Sequence, residues 1–144
     1  EEDIVEAIPK TLQDNIFDLT QLILAKKIDQ ARDLVKDLTL QGEDEIKLIA
    51  IMLGQFRLYT QVKILAESGQ TESQMVSSLG HYLGRNPNPY QIKFALRDTR
   101  GLSLNFLQDS IRYLIQTDYQ IKTGVYEKGY LFEKALLEIA SQSN

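Results

Sequence analysis

Apolar residues recur along most of this chain at intervals of three and four, the spacing of one face of an α-helix. Ile16, Leu19, Leu22 and Ile23 form the first stripe, with Asp14 or Asn15 placed to cap its start and Lys26 and Lys27 in a last turn where the helix dipole favours cations. Ile28, Ala31, Leu34, Val35 and Leu38 repeat the pattern, and Gly42 is placed to end that helix shortly after Leu40. Together the two stripes predict an antiparallel helix pair. The third helix, from about Asp44 to Ser68 with Gly69 as its stop, is the longest. Its apolar residues, among them Ile46, Leu48, Ile51, Met52, Leu53, Phe56, Leu58, Tyr59, Val62 and Ile64, fill more than one stripe, so it is expected to be covered on several sides. Gln55, Arg57, Gln61 and Lys63 interrupt that surface and mark a wet side.

Thr71-Glu72-Ser73-Gln74 fits a capping box, in which the Thr71 hydroxyl and the Gln74 side chain each accept from the other residue's backbone N–H. It opens a short helix through Met75, Val76 and Leu79. The stretch from Leu79 to Arg100 then holds two of the three prolines and the only histidine, so the helical chain breaks and restarts there. Asn88 reads as an N-cap and Pro89 as the first helical residue, since proline has no N–H to lose at that position. Ile92, Ala95, Leu96 and Thr99 fall on one face of the new helix, and Gln91, Lys93, Arg97 and Arg100 lie largely on the other. After Gly101, Ser103 can cap a helix carrying Leu104, Leu107, Ile111, Leu114, Ile115 and Ile121, stopped by Gly124. Leu131, Phe132, Ala135, Leu136 and Ile139 make a final amphipathic helix. No segment alternates with period two, and the expected architecture is an all-α helical bundle of about seven helices.

Composition narrows the chemistry. With 144 residues the chain is about one domain. Having no cysteine and a single histidine, it offers no disulfide framework and no thiolate metal site, so no metal and no cofactor are expected. The longest uninterrupted apolar run, Leu48 to Leu53, is far shorter than the ~20 residues that span a bilayer. That favours a soluble, cytoplasmic protein with no membrane partner. The start at Glu1-Glu2-Asp3, without an initiator methionine, suggests a piece of a longer protein. Residues 1–14 read as the tail of a preceding domain and a linker, and 15–144 as the helical domain. The net charge of -4 is uneven: residues 1–80 hold 8 Lys/Arg against 14 Asp/Glu, and residues 81–144 hold 8 against 6. The second half is the candidate for an anionic partner, against the plainer reading of a solvated mixed-charge surface.

Catalytic equipment is missing from the sequence. There is no GxxxxGK[ST] phosphate loop, no nucleophile elbow and no HExxH pair. Glu43-Asp44-Glu45 sits at a helix start, where anions relieve the dipole, and His81 beside Tyr82 reads as an ordinary histidine in a turn. Two features could touch nucleic acid. The helices either side of residues 80–87 resemble a helix-turn-helix, the module of a transcription regulator, although such motifs turn in about three or four residues. The loop around Lys122, Tyr126 and Lys128 sets an aromatic ring between two cations, which could stack a frayed base and hold phosphate, or the ring could simply pack the loop.

Taken in order, Asn15-Ile16-Phe17-Asp18-Leu19, Gln55-Phe56-Arg57-Leu58, Leu83-Gly84, Pro89-Tyr90-Gln91-Ile92-Lys93, Ala95-Leu96-Arg97 and Asp118-Tyr119-Gln120-Ile121-Lys122-Thr123-Gly124 resemble the C-terminal part of the delta subunit of the bacterial DNA polymerase III clamp loader, in its Gram-positive form. Arg85-Asn86-Pro87-Asn88 departs from the shorter turn common in that family. The resemblance implies a helical collar, the oligomerisation domain through which five loader subunits associate. It further implies delta-prime and tau/gamma as partners, primer–template DNA reached through the assembled complex, and a sliding clamp contacted by N-terminal domains that this chain lacks. On that reading the fragment carries no catalytic residues although the intact protein is a subunit of a polymerase holoenzyme. Tyr90, Phe94, Arg97 and Phe106 are then the candidates for the subunit interface, with the three aromatic rings alternatively part of the core. Lys122, Tyr126 and Lys128 are the candidates for nucleic-acid contact.

Overall fold

In a computed structural model that describes residues 11–84 and 88–142, the chain forms seven helices and, among the described residues, no strand. They are α1 Leu12–Leu24, α2 Ile28–Leu40, α3 Glu45–Glu67, α4 Glu72–Leu83, α5 Pro89–Thr99, α6 Leu104–Lys122 and α7 Lys128–Ser141. The expected apolar set at Ile4, Val5 and Ile8 and the turn at Arg85-Asn86-Pro87 lie outside the described residues.

Helix α1 starts earlier than its apolar stripe suggested. Thr11, not Asp14 or Asn15, is the N-cap: its hydroxyl accepts from Asp14 N–H at 3.0 Å, and the Asp14 carboxylate accepts from Thr11 N–H at 3.3 Å. The first described helix thus starts within the segment read as linker. Helix α1 ends at Leu24, ahead of Lys26 and Lys27. Lys26 takes the left-handed conformation, φ 62°, and the stop is closed by Lys26 N–H on Ile23 O at 3.0 Å and Lys27 N–H on Leu22 O at 2.8 Å. A side chain rarely sits in that region, and Lys26 does so while its Nζ donates to Ala140 O near the end of α7. A carbonyl in the last turn of α7 is thus satisfied from the turn between α1 and α2.

The capping expectations at Thr71 and Asn88 hold in detail. Gln74 N–H reaches Thr71 Oγ1 at 3.2 Å and Thr71 N–H reaches Gln74 Oε1 at 2.8 Å, while Asn88 Oδ1 accepts from Tyr90 N–H at 2.9 Å. Ser103 caps α6 through Phe106 N–H at 3.0 Å. Helix α4 runs on to Leu83, so His81 lies in its last turn, not in a loop.

The chain divides into two compact units, and the division falls inside α3 and α6. The first comprises the residues up to Met52 with Gln116–Ser141. In it α1, α2 and α7 pack on one another, burying Ile16, Leu19, Ile23, Leu38, Phe132 and Ile139. Arg32 on α2 pairs with Glu133 on α7 at 2.9 Å. The second unit, Leu53–Ile115, packs α4 on α5 and buries Phe56, Met75, Leu79, Ile92, Leu107 and Leu114.

Along α3 the fully buried residues Leu48, Ile49, Met52, Phe56, Tyr59 and Val62 make a single stripe, narrower than its composition suggested. Ile51, Leu53 and Leu58 are half-buried and Ile64 is exposed. By length and composition this helix could cross a membrane, but the buried stripe marks it as a core helix of the fold. Its polar residues are not all on a wet side. Lys63 reaches across to the end of α5, where its Nζ donates to Thr99 O at 3.1 Å.

Candidate subunit and nucleic-acid interfaces

The first surface is on α5. Proline at N1 and the Asn88 cap fix where this helix starts, and Ile92, Ala95 and Thr99 turn inward. That register puts Tyr90, Phe94 and Arg97, at i, i+4 and i+7, on one outward face. Tyr90 is 68% and Phe94 38% exposed, and the Arg97 side chain is 56% exposed. The guanidinium lies 4.9 Å from the centroid of the Phe94 ring, within cation–π range. Its Nε donates to Asp98 Oδ1 at 2.8 Å, and Tyr59 OH on α3 donates to Asp98 Oδ2 at 3.1 Å. The Asp98 side chain is only 6% exposed, so its charge is satisfied from two sides. The hydrogen bond to Asp98, followed by the charge of that carboxylate, raises the pKa of Arg97.

Phe106 does not belong to this surface. It is 4% exposed and faces the core of its own unit, because Ser103 starts α6 in a register that turns positions 106, 107, 110 and 114 inward. The apolar stripe read from Leu104 and Leu107 had left it to one side.

The second surface is the turn between α6 and α7. Gly124, φ +71°, ends α6 with Gly124 N–H on Ile121 O at 3.2 Å and Val125 N–H on Gln120 O at 3.3 Å. The Glu127 carboxylate then caps α7, accepting from Gly129 N–H at 3.1 Å and Tyr130 N–H at 2.9 Å. Between these two fixed ends Tyr126 is 63% exposed and meets Tyr130 edge-on, ring centroids 6.1 Å apart. Gln120, Tyr126, Glu127, Tyr130, Leu131 and Lys134 line an open pocket of about 420 Å³.

The two lysines are placed differently from the sequence reading. Lys122 ends α6 and pairs with Asp118 at 2.9 Å, one turn back. Lys128 is the first residue of α7 and pairs with Asp44 at 2.8 Å. Its hydrogen bond raises the Lys128 pKa and lowers that of Asp44. Both cations thus already face a carboxylate. Tyr130, also exposed, makes an aromatic pair with Tyr126 that sequence reasoning did not single out. The available signal was the spacing of Tyr126 and Tyr130, one helical turn apart.

Among the described residues no three His, Cys, Asp or Glu side chains come together to hold a metal ion. The connection from Gly84 to Asn88 spans five positions, longer than the turn of a DNA-reading helix-turn-helix.

An all-helical domain whose notable residues stand on exposed faces is the class this geometry defines. Residues 13–139 match the family described as DNA polymerase III delta subunit, C-terminal domain. The chain is similar to the DNA polymerase III subunit delta of Bacillus subtilis (strain 168), 32% identical over 142 residues, covering 99% of this chain and 39% of that protein. The solved structure of the Bacillus subtilis DNA clamp loader delta protein superposes with a TM-score of 0.85 at 31% identity, over 98% of this chain and 40% of that one. The chain belongs to the family formed by the C-terminal domains of DNA polymerase III delta subunits. It spans about two fifths of the length of those relatives. The alternative of a helix-turn-helix regulator is thereby not supported, in agreement with the long connection before α5.

Proposed function

We propose that this domain is the collar of a clamp loader delta subunit, joining it to the other loader subunits, delta-prime and tau/gamma, in the cytoplasm. The observation that carries the reading, beside the family, is the outward face of α5. Two large aromatic side chains and an arginine at one-turn intervals have the composition of an interface hot spot. The sliding clamp would be met by the domains that precede this one in the full-length relatives.

The test is reconstitution of the full-length subunit with the remaining loader subunits, followed by size exclusion with light scattering. Tyr90→Ala with Phe94→Ala is expected to weaken entry into the complex without lowering the subunit's melting temperature. Unchanged assembly would remove α5 from the interface.

A second reading, contact of the assembled loader with primer–template DNA, rests on the exposed Tyr126 beside its pocket. Tyr126 is the member favoured for this role, since Lys122 and Lys128 must each give up a carboxylate partner to bind phosphate. Tyr126→Ala is expected to lower the loader's affinity for primed DNA and leave assembly intact; equal affinity would refute it.

A further inference from the structure

The same outward face of α5 contains a device that the interface reading does not by itself require. We infer that Asp98, braced by Tyr59, is a positioning residue that holds Arg97 against Phe94 so that the guanidinium can clamp a carboxylate on a partner subunit. The inference rests on the proposed interface and adds to it the residues that set the clamp and the chemistry of what it grips.

An arginine on an exposed helix face ordinarily samples many rotamers, and ordering them opposes binding. Arg97 is held at two points before any partner arrives, by Asp98 Oδ1 at 2.8 Å and by the Phe94 ring at 4.9 Å. Asp98 in turn cannot easily swing away. Its side chain is nearly buried, and its other oxygen takes the hydroxyl of Tyr59 at 3.1 Å. Tyr59 is 2% exposed and set edge-on against the buried Phe56, ring centroids 5.9 Å apart. The position of an exposed guanidinium is therefore transmitted from the core of α3.

The bond to Asp98 uses Nε, so both terminal amino groups of Arg97 remain for a planar acceptor. Charge indicates which acceptor. Lys93, Arg97 and Arg100 are all exposed, while the one carboxylate on α5, Asp98, is buried and committed. Phosphate binding by counter-ion release draws on several mobile cations along a surface, whereas Arg97 is fixed in place against the Phe94 ring. A single oriented guanidinium beside Tyr90 and Phe94 instead suits an Asp or Glu set in apolar surroundings on another protein.

The experiment uses the full-length subunit with the other loader subunits, measuring the dissociation constant of assembly across a salt series, with the melting temperature of each variant recorded separately. Arg97→Ala is expected to weaken assembly about tenfold and flatten its salt dependence, a larger loss than truncation of most interface residues causes. Asp98→Asn and Tyr59→Phe are expected to weaken it about three- to tenfold in the wild-type background and to add nothing once Arg97 is alanine. A merely structural role for Asp98 would give the same loss with or without Arg97, and that result overturns the positioning assignment. If Tyr90→Ala or Phe94→Ala weakens assembly while Arg97→Ala does not, the interface stands and the clamp falls. If none of these variants changes assembly, the interface reading fails with it. Loss of primed-DNA binding by Arg97→Ala with assembly intact would replace the carboxylate with a phosphate and overturn the proposal.

Discussion

Gly54 and Gly124 allow one substitution to be worked out twice with opposite sign. At each position a Cβ would meet nothing within 4 Å, so replacement by alanine changes only the backbone preferences. Gly54 lies inside α3 at an exposed position. Alanine there is expected to stabilise by about 0.5–1 kcal/mol, because glycine loses more conformational freedom on entering a helix. Gly124 sits at φ +71° as the stop of α6. Alanine there meets a left-handed cost of about 1–2 kcal/mol. The smaller conformational freedom of the unfolded chain returns about 0.4–1 kcal/mol, leaving a net loss of about 0.5–1 kcal/mol. The two variants should thus differ by about 1–2 kcal/mol, a factor of about 5–30 in the unfolding equilibrium. Urea titration followed by far-UV circular dichroism measures the difference. Because Gly54 and Gly124 belong to different compact units, hydrogen exchange at core amides of each unit reads each change where it acts. Shifts of the same sign and size at both positions would refute the assignment of the α6 stop to a left-handed residue.

Other consequences follow from particular contacts. Phe106→Ala is expected to destabilise the fold by about 3–5 kcal/mol, as for a buried aromatic side chain, whereas Phe94→Ala should stay within about 1 kcal/mol; comparable melting temperatures would contradict the burial difference between them. The Asp44–Lys128 pair should favour the folded state above the ordinary carboxyl value of 3.8 and below the ordinary ammonium value of 10.5. Its contribution is lost as pH falls through the lowered pKa of Asp44, or as pH rises through the raised pKa of Lys128. Carboxyl-carbon NMR should show Asp44 titrating at higher pH in Lys128→Ala, and an unmoved titration would mean the pair does not persist in solution. Thr71→Ala is expected to cost about 1 kcal/mol, with fraying of the first turn of α4 visible as faster amide exchange at Gln74.

Whatever depends on residues a few positions apart could be read from the chain before it folds. The helical period, the Thr71–Gln74 box, the Asn88-Pro89 start, the Ser103 cap and the stops at Gly42, Gly69 and Gly124 are local bonds between near neighbours, and each was legible from residue type and spacing. The Thr11 cap was equally local, but it precedes the first apolar residue of the stripe by several positions, and Asp14 stood nearer as a rival. The rest was settled by the packing of helices, because packing brings together residues that are remote in the chain. Nothing near Lys128 announces that Asp44, 84 positions away, will bind it. Nothing near Lys63 announces the carbonyl of Thr99. Phe106 and Phe94 both stood beside an apolar stripe, and only their surroundings in the fold made one of them core and the other surface. The same holds for Arg97: its neighbour Asp98 is visible in the sequence, but the tyrosine that holds that carboxylate in place comes from another helix, 39 positions earlier.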